Sequence, residues 1–280
     1  MADDVLLDRI ARLPCWQGRV SLERLKGGLT NISYVADDGR EKFVVRCGDD
    51  IPVHHVFRDR ERAASRAAFE AGLSPEIVHV EPGITVLRFI DGRTFDEADM
   101  RENLDRLVPL LKTCHREVGR KLQGPANMFW VFHVIRDYVR AANADAKYLA
   151  LADELEQRQV PLPIVFGHHD LLPGNFMDDG RRLWLIDWEY GAFGTPMFDL
   201  ANLSSNGEYD AAEDERLLAG YFGPSVDDPA LKGAFAAMKA ASALREALWA
   251  MVSEIHLKTP GVDYQSHARE YLRRFDRLMA

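Results

Sequence analysis

The chain has 280 residues, which is enough for one large domain or for two lobes with a sizeable buried core. Its residues are 47% hydrophobic and 28% charged, as in folded globular proteins, and this composition excludes wholesale disorder. The formal net charge of −9 repels nucleic-acid phosphates and anionic lipid, so neither is an expected partner. The acidic start and the lack of a long apolar run predict a cytoplasmic protein without membrane insertion.

Short strand patterns dominate the chain before about residue 90. An amphipathic helix is predicted over Val5–Leu13 and ends at Pro14. Glycine and hairpin signals then separate five strands, with one helix predicted over Val56–Ala71 after the third strand. The predicted strands are Ser21–Lys26, Ile32–Ala36, Lys42–Cys47, Ile77–Val80 and Ile84–Ile90. This order favours a small antiparallel sheet with one inserted helix.

Helical periods dominate after residue 90. The predicted helices are Glu102–Glu117, Phe132–Ala142, Lys147–Gln157, Asp210–Tyr221, Pro229–Leu257 and Ser266–Met279. Between the third and fourth of these, a loop-rich segment over Gly167–Asn175 precedes a hairpin. Its strands are predicted over Phe176–Met177 and Leu183–Ile186. A small β-rich lobe joined to a larger helical lobe fits this order.

The loop and the hairpin carry the side chains that are most informative about chemistry. Asp170 precedes a Leu-Leu-Pro-Gly turn that folds the chain back and brings Asn175 near it. Because Asn175 starts the hairpin and Asp187 ends it, we expect both at the same open end. Carboxylate and amide oxygens suit Mg²⁺, and a remaining carboxylate can accept a hydroxyl proton. The pattern predicts Asp170 as a catalytic base, with Asn175 and Asp187 as metal ligands.

The HxDxxxxN pattern over 168–175, followed by IDWEY over 186–190, resembles the phosphotransferase signature of the choline/ethanolamine kinase family. This family is part of the wider aminoglycoside-phosphotransferase and protein-kinase-like superfamily. Further similar segments, in the family's order, are LKGGLTN at 25–31, FVVR at 43–46, FDLAN at 198–202 and LWA at 248–250. The resemblance implies an α+β bilobal protein-kinase-like fold. A small N-terminal lobe (1–90) would hold a five-stranded antiparallel sheet plus a helix, and a larger, mainly helical C-terminal lobe (91–280) would follow.

The resemblance also implies a kinase with a site for ATP and Mg²⁺. Arg46 would bind the phosphates of ATP, and Glu61 would orient it through a bidentate ion pair. Backbone groups of a glycine-bearing loop would cover the phosphates, because glycine permits close approach, and adenine would bind at the hinge between the lobes. The other predicted nucleotide-binding residues are Gly27, Gly28, Thr30, Asn31, Phe89 and Ile90.

The acceptor implied by the resemblance is a small cationic amino-alcohol, with choline as the first choice and ethanolamine as the second. A quaternary ammonium cannot donate a hydrogen bond, so its recognition depends on aromatic faces and nearby carboxylates. The predicted acceptor-binding residues are Glu189, Tyr190, Tyr209 and Trp249. Two positions depart from the family's pattern: Asn206 replaces a glutamate and Glu246 replaces an aromatic residue. These departures leave the choice of acceptor open.

Other interpretations remain open at this point. Another small-molecule kinase of the superfamily would act on thiamine, an aminoglycoside or a sugar-like alcohol. A metal-dependent phosphohydrolase would use the His169-Asp170 doublet, although that doublet runs into a turn instead of a helix. A nucleotide-binding pseudokinase is disfavoured because the base and both metal ligands are present together. His168 and Asp199 are expected to brace the catalytic loop.

Overall fold

The N-terminal part of the protein is an antiparallel sheet with the strand order β1-β2-β3-β5-β4. The computed structural model describes residues 2–25 and 31–280. The strands are β1 (Ser21–Arg24), β2 (Ile32–Asp37), β3 (Lys42–Cys47), β4 (Ile77–Glu81) and β5 (Ile84–Arg88). Alternate residues of the central strands, such as Phe43 and Val45, are buried with Ile10 of helix α1 (Ala2–Ala11) in one apolar cluster. The predicted five-stranded antiparallel sheet is confirmed.

The hairpin between β2 and β3 shows why the strand boundaries follow the sequence closely. Gly39 has a φ of +83°, which glycine adopts without strain. The Asp38 Oδ1 atom accepts hydrogen bonds from the N–H groups of Arg40 and Glu41, both at 3.0 Å. The turn therefore fixes the register that places Ala36 opposite Phe43.

Helix α2 (Arg58–Glu70) joins the sheet to the helical part of the protein. It begins two residues after the predicted start, because Val56 pairs with Ile51 in an isolated bridge and Phe57 is extended. Its small buried residues, including Ala64 and Ala68, belong to the large core of the helical part. The predicted lobe boundary at residue 90 stays a prediction.

The remaining helices surround a core that is centred on one long helix. In chain order they are α3 (Glu97–Glu102), α4 (Leu104–Thr113), α5 (Gly119–Lys121), α6 (Val131–Ala141), α7 (Lys147–Gln157), α8 (Pro196–Asn206), α9 (Ala211–Phe222), α10 (Pro229–His256) and α11 (Tyr264–Met279). Helix α10 is buried along most of its length and packs against α6, α8 and α11. In the described part of the chain, no helix combines the length and the apolar character that crossing a membrane requires.

One helix prediction is wrong, and some helices, among them α3 and α8, were not predicted. The single helix predicted over Glu102–Glu117 is interrupted, because α4 ends at Thr113 and a π-helical turn follows over Cys114–Val118. That turn directs His115 to a hydrogen bond with Asp199, a long-range contact that local propensity does not encode. Helix α8 was not predicted, although Thr195 caps it and Pro196 stands at its first position.

Short strands position the loop that carries the candidate site. Strand β7 (Val165–Gly167) pairs with β10 (Ala192–Gly194), and β8 (Phe176–Asp178) pairs with β9 (Leu183–Leu185) and with β6 (Arg93–Thr94). The N–H group of Ile186 donates to the carbonyl oxygen of Asn175 at 2.9 Å. The two ends of the β8–β9 hairpin therefore lie side by side, as the sequence predicts.

Candidate active site

Asp170, Asn175 and Asp187 line one cavity of about 380 Å³ at the open end of the hairpin. The Asn175 Nδ2 atom donates to the Asp170 carbonyl oxygen at 2.7 Å and to Asp170 Oδ2 at 3.3 Å. Asp187 adopts a φ of +66°, in the left-handed region that L-residues rarely occupy outside functional or strained sites. The structure brings the predicted base and the two predicted metal ligands together.

The environment of Asp170 favours a proton-accepting role. Burial raises the pKa of its carboxyl group to about 7; the Glu246 and Asp187 carboxylates act in the same direction, and the Arg245 guanidinium opposes them. The Arg245 Nη2 atom lies 3.4 Å from Asp170 Oδ1. A general base is most effective when its pKa lies near the working pH. Burial and the neighbouring carboxylates therefore give Asp170 a higher proton affinity than an exposed aspartate has.

Two histidines beside Asp170 are structural. The His168 Nδ1 atom faces the Asp170 N–H group at 3.3 Å, and Nε2 faces the Ile186 carbonyl oxygen at 2.9 Å. His168 therefore ties the catalytic loop to the hairpin. His169 is fully buried, stacks on Phe129 with ring centroids 4.4 Å apart and does not line the cavity. This placement removes His169 from the reaction and argues against the phosphohydrolase.

A chain of ion pairs joins the sheet to the hairpin. The Arg46 Nη2 atom lies 2.7 Å from Asp187 Oδ1, and Arg46 Nη1 lies 2.9 Å from Glu61 Oε1. The Arg58 Nη1 atom contacts both Glu61 and Glu189, at 2.6 and 3.1 Å. Arg46 thus contacts Glu61 through one nitrogen only, and its other terminal nitrogen lies at the predicted metal ligand. The predicted bidentate pair is not formed, because the second Glu61 oxygen pairs with Arg58. Glu189 lines the cavity and is also paired with Arg58.

The donor set at the open end of the hairpin fits a magnesium ion. Among the described residues, no group donates a hydrogen bond to Asn175 Oδ1 or to Asp187 Oδ2. Both are hard oxygen donors, and a magnesium site in a phosphotransferase typically uses one or two such side chains and the phosphates of the substrate. The residues present therefore match the ion that the sequence implies.

The other predicted nucleotide-binding residues lie in three places. Gly27, Gly28 and Thr30 lie outside the described residues. Asn31 lies against Gly48, since a Cβ atom added at Gly48 would stand 2.5 Å from Asn31 Oδ1. The Phe89 N–H group donates to the Lys42 carbonyl oxygen at 3.2 Å and so continues the sheet. Phe89 and Ile90 line a separate cavity of about 360 Å³, and their predicted contact with adenine stays a prediction.

Tyr190 and Trp249 line the cavity beside Asp170, whereas Tyr209 does not. The Tyr209 hydroxyl donates to the Met100 carbonyl oxygen at 2.6 Å, and its ring borders a different cavity that Lys239 also lines. This placement does not support the predicted contact of Tyr209 with the acceptor, because its side chain connects the segment after helix α8 to α3.

Arg245 is the site residue that the sequence analysis missed. Its guanidinium is fully buried and contacts Asp170, Glu246 and the His169 carbonyl oxygen, the last at 2.9 Å. Arg245 and Glu246 are the only charged residues between positions 240 and 253 of an otherwise apolar stretch. A charged pair within a buried helix was the available signal, because such a pair needs partners inside the protein.

The sheet, the helical core and the loop that carries this cluster define a protein-kinase-like fold. The family described as "Phosphotransferase enzyme family" matches residues 21–234. The chain therefore belongs to that family, and the family and fold predicted from the sequence are confirmed.

Solved structures and curated relatives agree with this membership. A choline/ethanolamine kinase family protein from Mesorhizobium loti is 30% identical, with a TM-score of 0.80 over 100% of this chain and 95% of that chain. Choline kinase LicA from Streptococcus pneumoniae, 24% identical, has the same fold with a TM-score of 0.80 over 99% and 97% of the two chains. A probable ethanolamine kinase from Arabidopsis thaliana is 30% identical over 65% of this chain and 55% of its own length. The chain thus spans little more than half the length of the first curated relatives it matches.

Proposed function

We propose that this protein is an ATP- and Mg²⁺-dependent phosphotransferase that moves the γ-phosphate to the hydroxyl group of a small cationic amino-alcohol, choline or ethanolamine. The observation that carries the proposal is the meeting of Asp170, Asn175 and Asp187 in one cavity, with Arg46 bonded to Asp187. The names of the relatives, ethanolamine kinase and choline kinase, support the acceptor class. A LicA structure with the same fold is a complex with AMP, which supports an adenine nucleotide.

In the proposed reaction, the acceptor oxygen attacks the γ-phosphorus while the bond from that phosphorus to the ADP oxygen breaks. The hydroxyl proton passes to Asp170, whose carboxylate lies in the same cavity. Arg46 binds phosphate oxygens while Glu61 holds its guanidinium in place. Asn175 and Asp187 would hold Mg²⁺, which neutralises phosphate charge when bound.

The charge of the cavity supports a cationic acceptor. Four acidic side chains line it: Asp170, Asp187, Glu189 and Glu246. Among the described residues, Arg245 is the one lysine or arginine that lines it. Magnesium and Arg46 would act at the nucleotide end. The carboxylates at the opposite end are then available to attract a positively charged alcohol.

The decisive experiment is an ATP-consumption screen with choline, ethanolamine, thiamine, aminoglycosides and sugars. The Asp170→Asn variant should bind ATP with nearly unchanged affinity and lose turnover by roughly 10²–10⁴-fold, the range for removal of a general base. Asp178→Asn is the matched control, because Asp178 ends strand β8, pairs with Arg106 and does not line the cavity. Retained turnover in Asp170→Asn, or phosphate release from esters without ATP, contradicts the proposal.

A further inference from the structure

The acceptor end of the cavity is built from residues beyond the family match. The wall beside Asp170 is formed by Tyr190 and by Arg245, Glu246, Trp249 and His267 of helices α10 and α11. All but Tyr190 lie after residue 234, where the family match ends. The contacts of this wall therefore have to be taken from the structure of this chain, and they bear on which cation the cavity can hold.

The aromatic rings on this wall also contact other side chains of the protein. The Arg245 guanidinium carbon lies 5.2 Å from the centroid of the Tyr190 ring, so an internal cation covers that ring. The Trp249 ring has His54 at 5.3 Å, tilted by 33°, and His267 at 5.9 Å. Recognition of a quaternary ammonium depends on aromatic faces that are free to contact its methyl groups. Part of the aromatic surface at this wall is thus used for contacts inside the protein.

A buried carboxylate, that of Glu246, also lines this wall. Glu246 is 5% exposed, and its Oε2 atom accepts a hydrogen bond from Arg245 Nη1 at 3.0 Å. The Oε1 atom accepts no hydrogen bond from any described residue. Arg245 stands between the Asp170 and Glu246 carboxylates, so the three side chains together carry one negative charge when both acids are ionised. This excess charge and the open oxygen suit one cation with N–H donors.

Two more polar atoms on the wall lack partners. Arg245 Nε and His267 Nε2 are buried and have no hydrogen-bond partner among the described residues. Folded proteins rarely leave such atoms unpaired. Arg245 Nε is a donor, and the hydroxyl oxygen that every alcohol of this class carries can accept from it. His267 Nε2, in the tautomer that leaves this nitrogen unprotonated, accepts from an ammonium N–H group, which a trimethylated nitrogen lacks.

We propose that Glu246, fixed by Arg245, determines acceptor specificity and selects an ammonium group with N–H donors over a quaternary ammonium. This assignment rests on the proposed phosphotransferase function. The acceptor nitrogen donates to Glu246 Oε1 while its hydroxyl group lies at Asp170. Each N-methyl group removes a donor and adds bulk next to a buried carboxylate, so the preference should fall along a methylation series.

The test is a comparison of kcat/KM for ethanolamine, its N-methyl and N,N-dimethyl derivatives, and choline. We expect a decrease with each methyl group and a total decrease of at least about 100-fold, since a site built to pair with donor groups rejects analogues that lack them. Glu246→Gln should reduce kcat/KM for ethanolamine about 100-fold and for choline less than about 10-fold, because only ethanolamine loses a charged hydrogen bond. Glu254→Gln, an exposed carboxylate of the same helix, is the control and should leave the ratio unchanged.

The possible outcomes separate this assignment from the proposed function. ATP consumption with choline preferred over ethanolamine overturns the assignment and leaves the phosphotransferase proposal standing. An unchanged ratio in Glu246→Gln, with both rates reduced equally, reduces Glu246 to a structural residue. ATP consumption with none of the four alcohols rejects the proposed acceptor class and the assignment together. The wild-type series decides the preference even if the variant does not fold.

Discussion

Asp199 holds the catalytic loop in place, and replacing it with asparagine tests that role. Its Oδ1 atom accepts the His169 N–H group at 2.7 Å, and Oδ2 accepts the His168 N–H group at 2.9 Å. The His115 Nε2 atom lies 2.8 Å from Oδ2, and its Nδ1 atom contacts the Tyr221 hydroxyl at 2.7 Å. Burial alone would raise the pKa of Asp199, but the His169 and His115 rings and the loop N–H group hold it well below its usual value. The side chain therefore remains ionised.

The size of the effect follows from these contacts. In Asp199→Asn, the side-chain N–H₂ group faces a backbone N–H group, so two donors stand against each other. The remaining hydrogen bonds are then made to a neutral amide oxygen and no longer to a carboxylate. A hydrogen bond to a charged group contributes about 1.5–3 kcal/mol, and the Asp199 carboxylate takes part in three such contacts. We therefore expect a loss of about 3–5 kcal/mol in the free energy of unfolding. His169, held at a φ of +63°, should relax when its anchor is gone.

Relaxation of the loop moves Asp170, the next residue. A displacement of about 1 Å at a reacting group can cost about 100-fold in rate, so turnover should fall at least that far while the variant is still folded. Urea unfolding measures the stability and ATP consumption measures the turnover. Asp214→Asn is the matched control, because Asp214 accepts from Lys239 Nζ at 2.6 Å and lies outside the cavity. Equal losses of turnover in the two variants, or none in Asp199→Asn, would refute the bracing role.

Two further predictions concern residues away from the reaction. Burial lowers the pKa of His54 to about 3, so the folded protein favours the neutral ring. The resulting contribution to the free energy of unfolding is complete above the pKa of an unfolded histidine, about 6.5, and is lost as the pH falls below it. When the pH falls from 7 to 5, the free energy of unfolding should therefore decrease by about 2 kcal/mol less in His54→Gln than in the wild type, as measured by urea titration. An equal decrease in the two proteins would contradict this. Tyr209→Phe should lower stability by about 1–2 kcal/mol, because it leaves the Met100 carbonyl oxygen without its donor, and should leave the KM of the acceptor unchanged. A raised KM would restore Tyr209 to the acceptor site.

The parts of the structure that local signals encode were predicted well. Strand β3 has the predicted bounds, since its alternation of buried and exposed residues is uninterrupted and Asp38-Gly39 fixes the preceding turn. Asp170, Asn175 and Asp187 meet because the hairpin that joins them is itself local. Position along a short hairpin, together with the type of donor atom, was enough to predict which oxygens converge.

The parts that depend on distant partners were not predicted. The π-helical turn at 114–118 interrupts a sequence with good helical periodicity, and its stabilisation comes from Asp199, some 80 residues later in the chain. Tyr209 follows a helix near the site, and only its hydrogen bond to the Met100 carbonyl oxygen of α3 shows that its hydroxyl group is used elsewhere. Aromatic type and proximity in sequence do not determine which cavity a ring enters.

Arg245 shows most clearly how the chemistry of the acceptor end depends on tertiary structure. In the sequence it is one charged residue of a long apolar helix, and its partners Asp170 and the His169 carbonyl oxygen lie 75 residues earlier. A buried guanidinium is stable only when such partners are present, so its position and theirs constrain one another. The Arg245 guanidinium also lies over the Tyr190 ring and pairs with Glu246 at the cavity. The base, the aromatic wall and the acceptor-facing carboxylate are therefore linked through one side chain, and a change of acceptor specificity at Glu246 should also alter the proton affinity of Asp170.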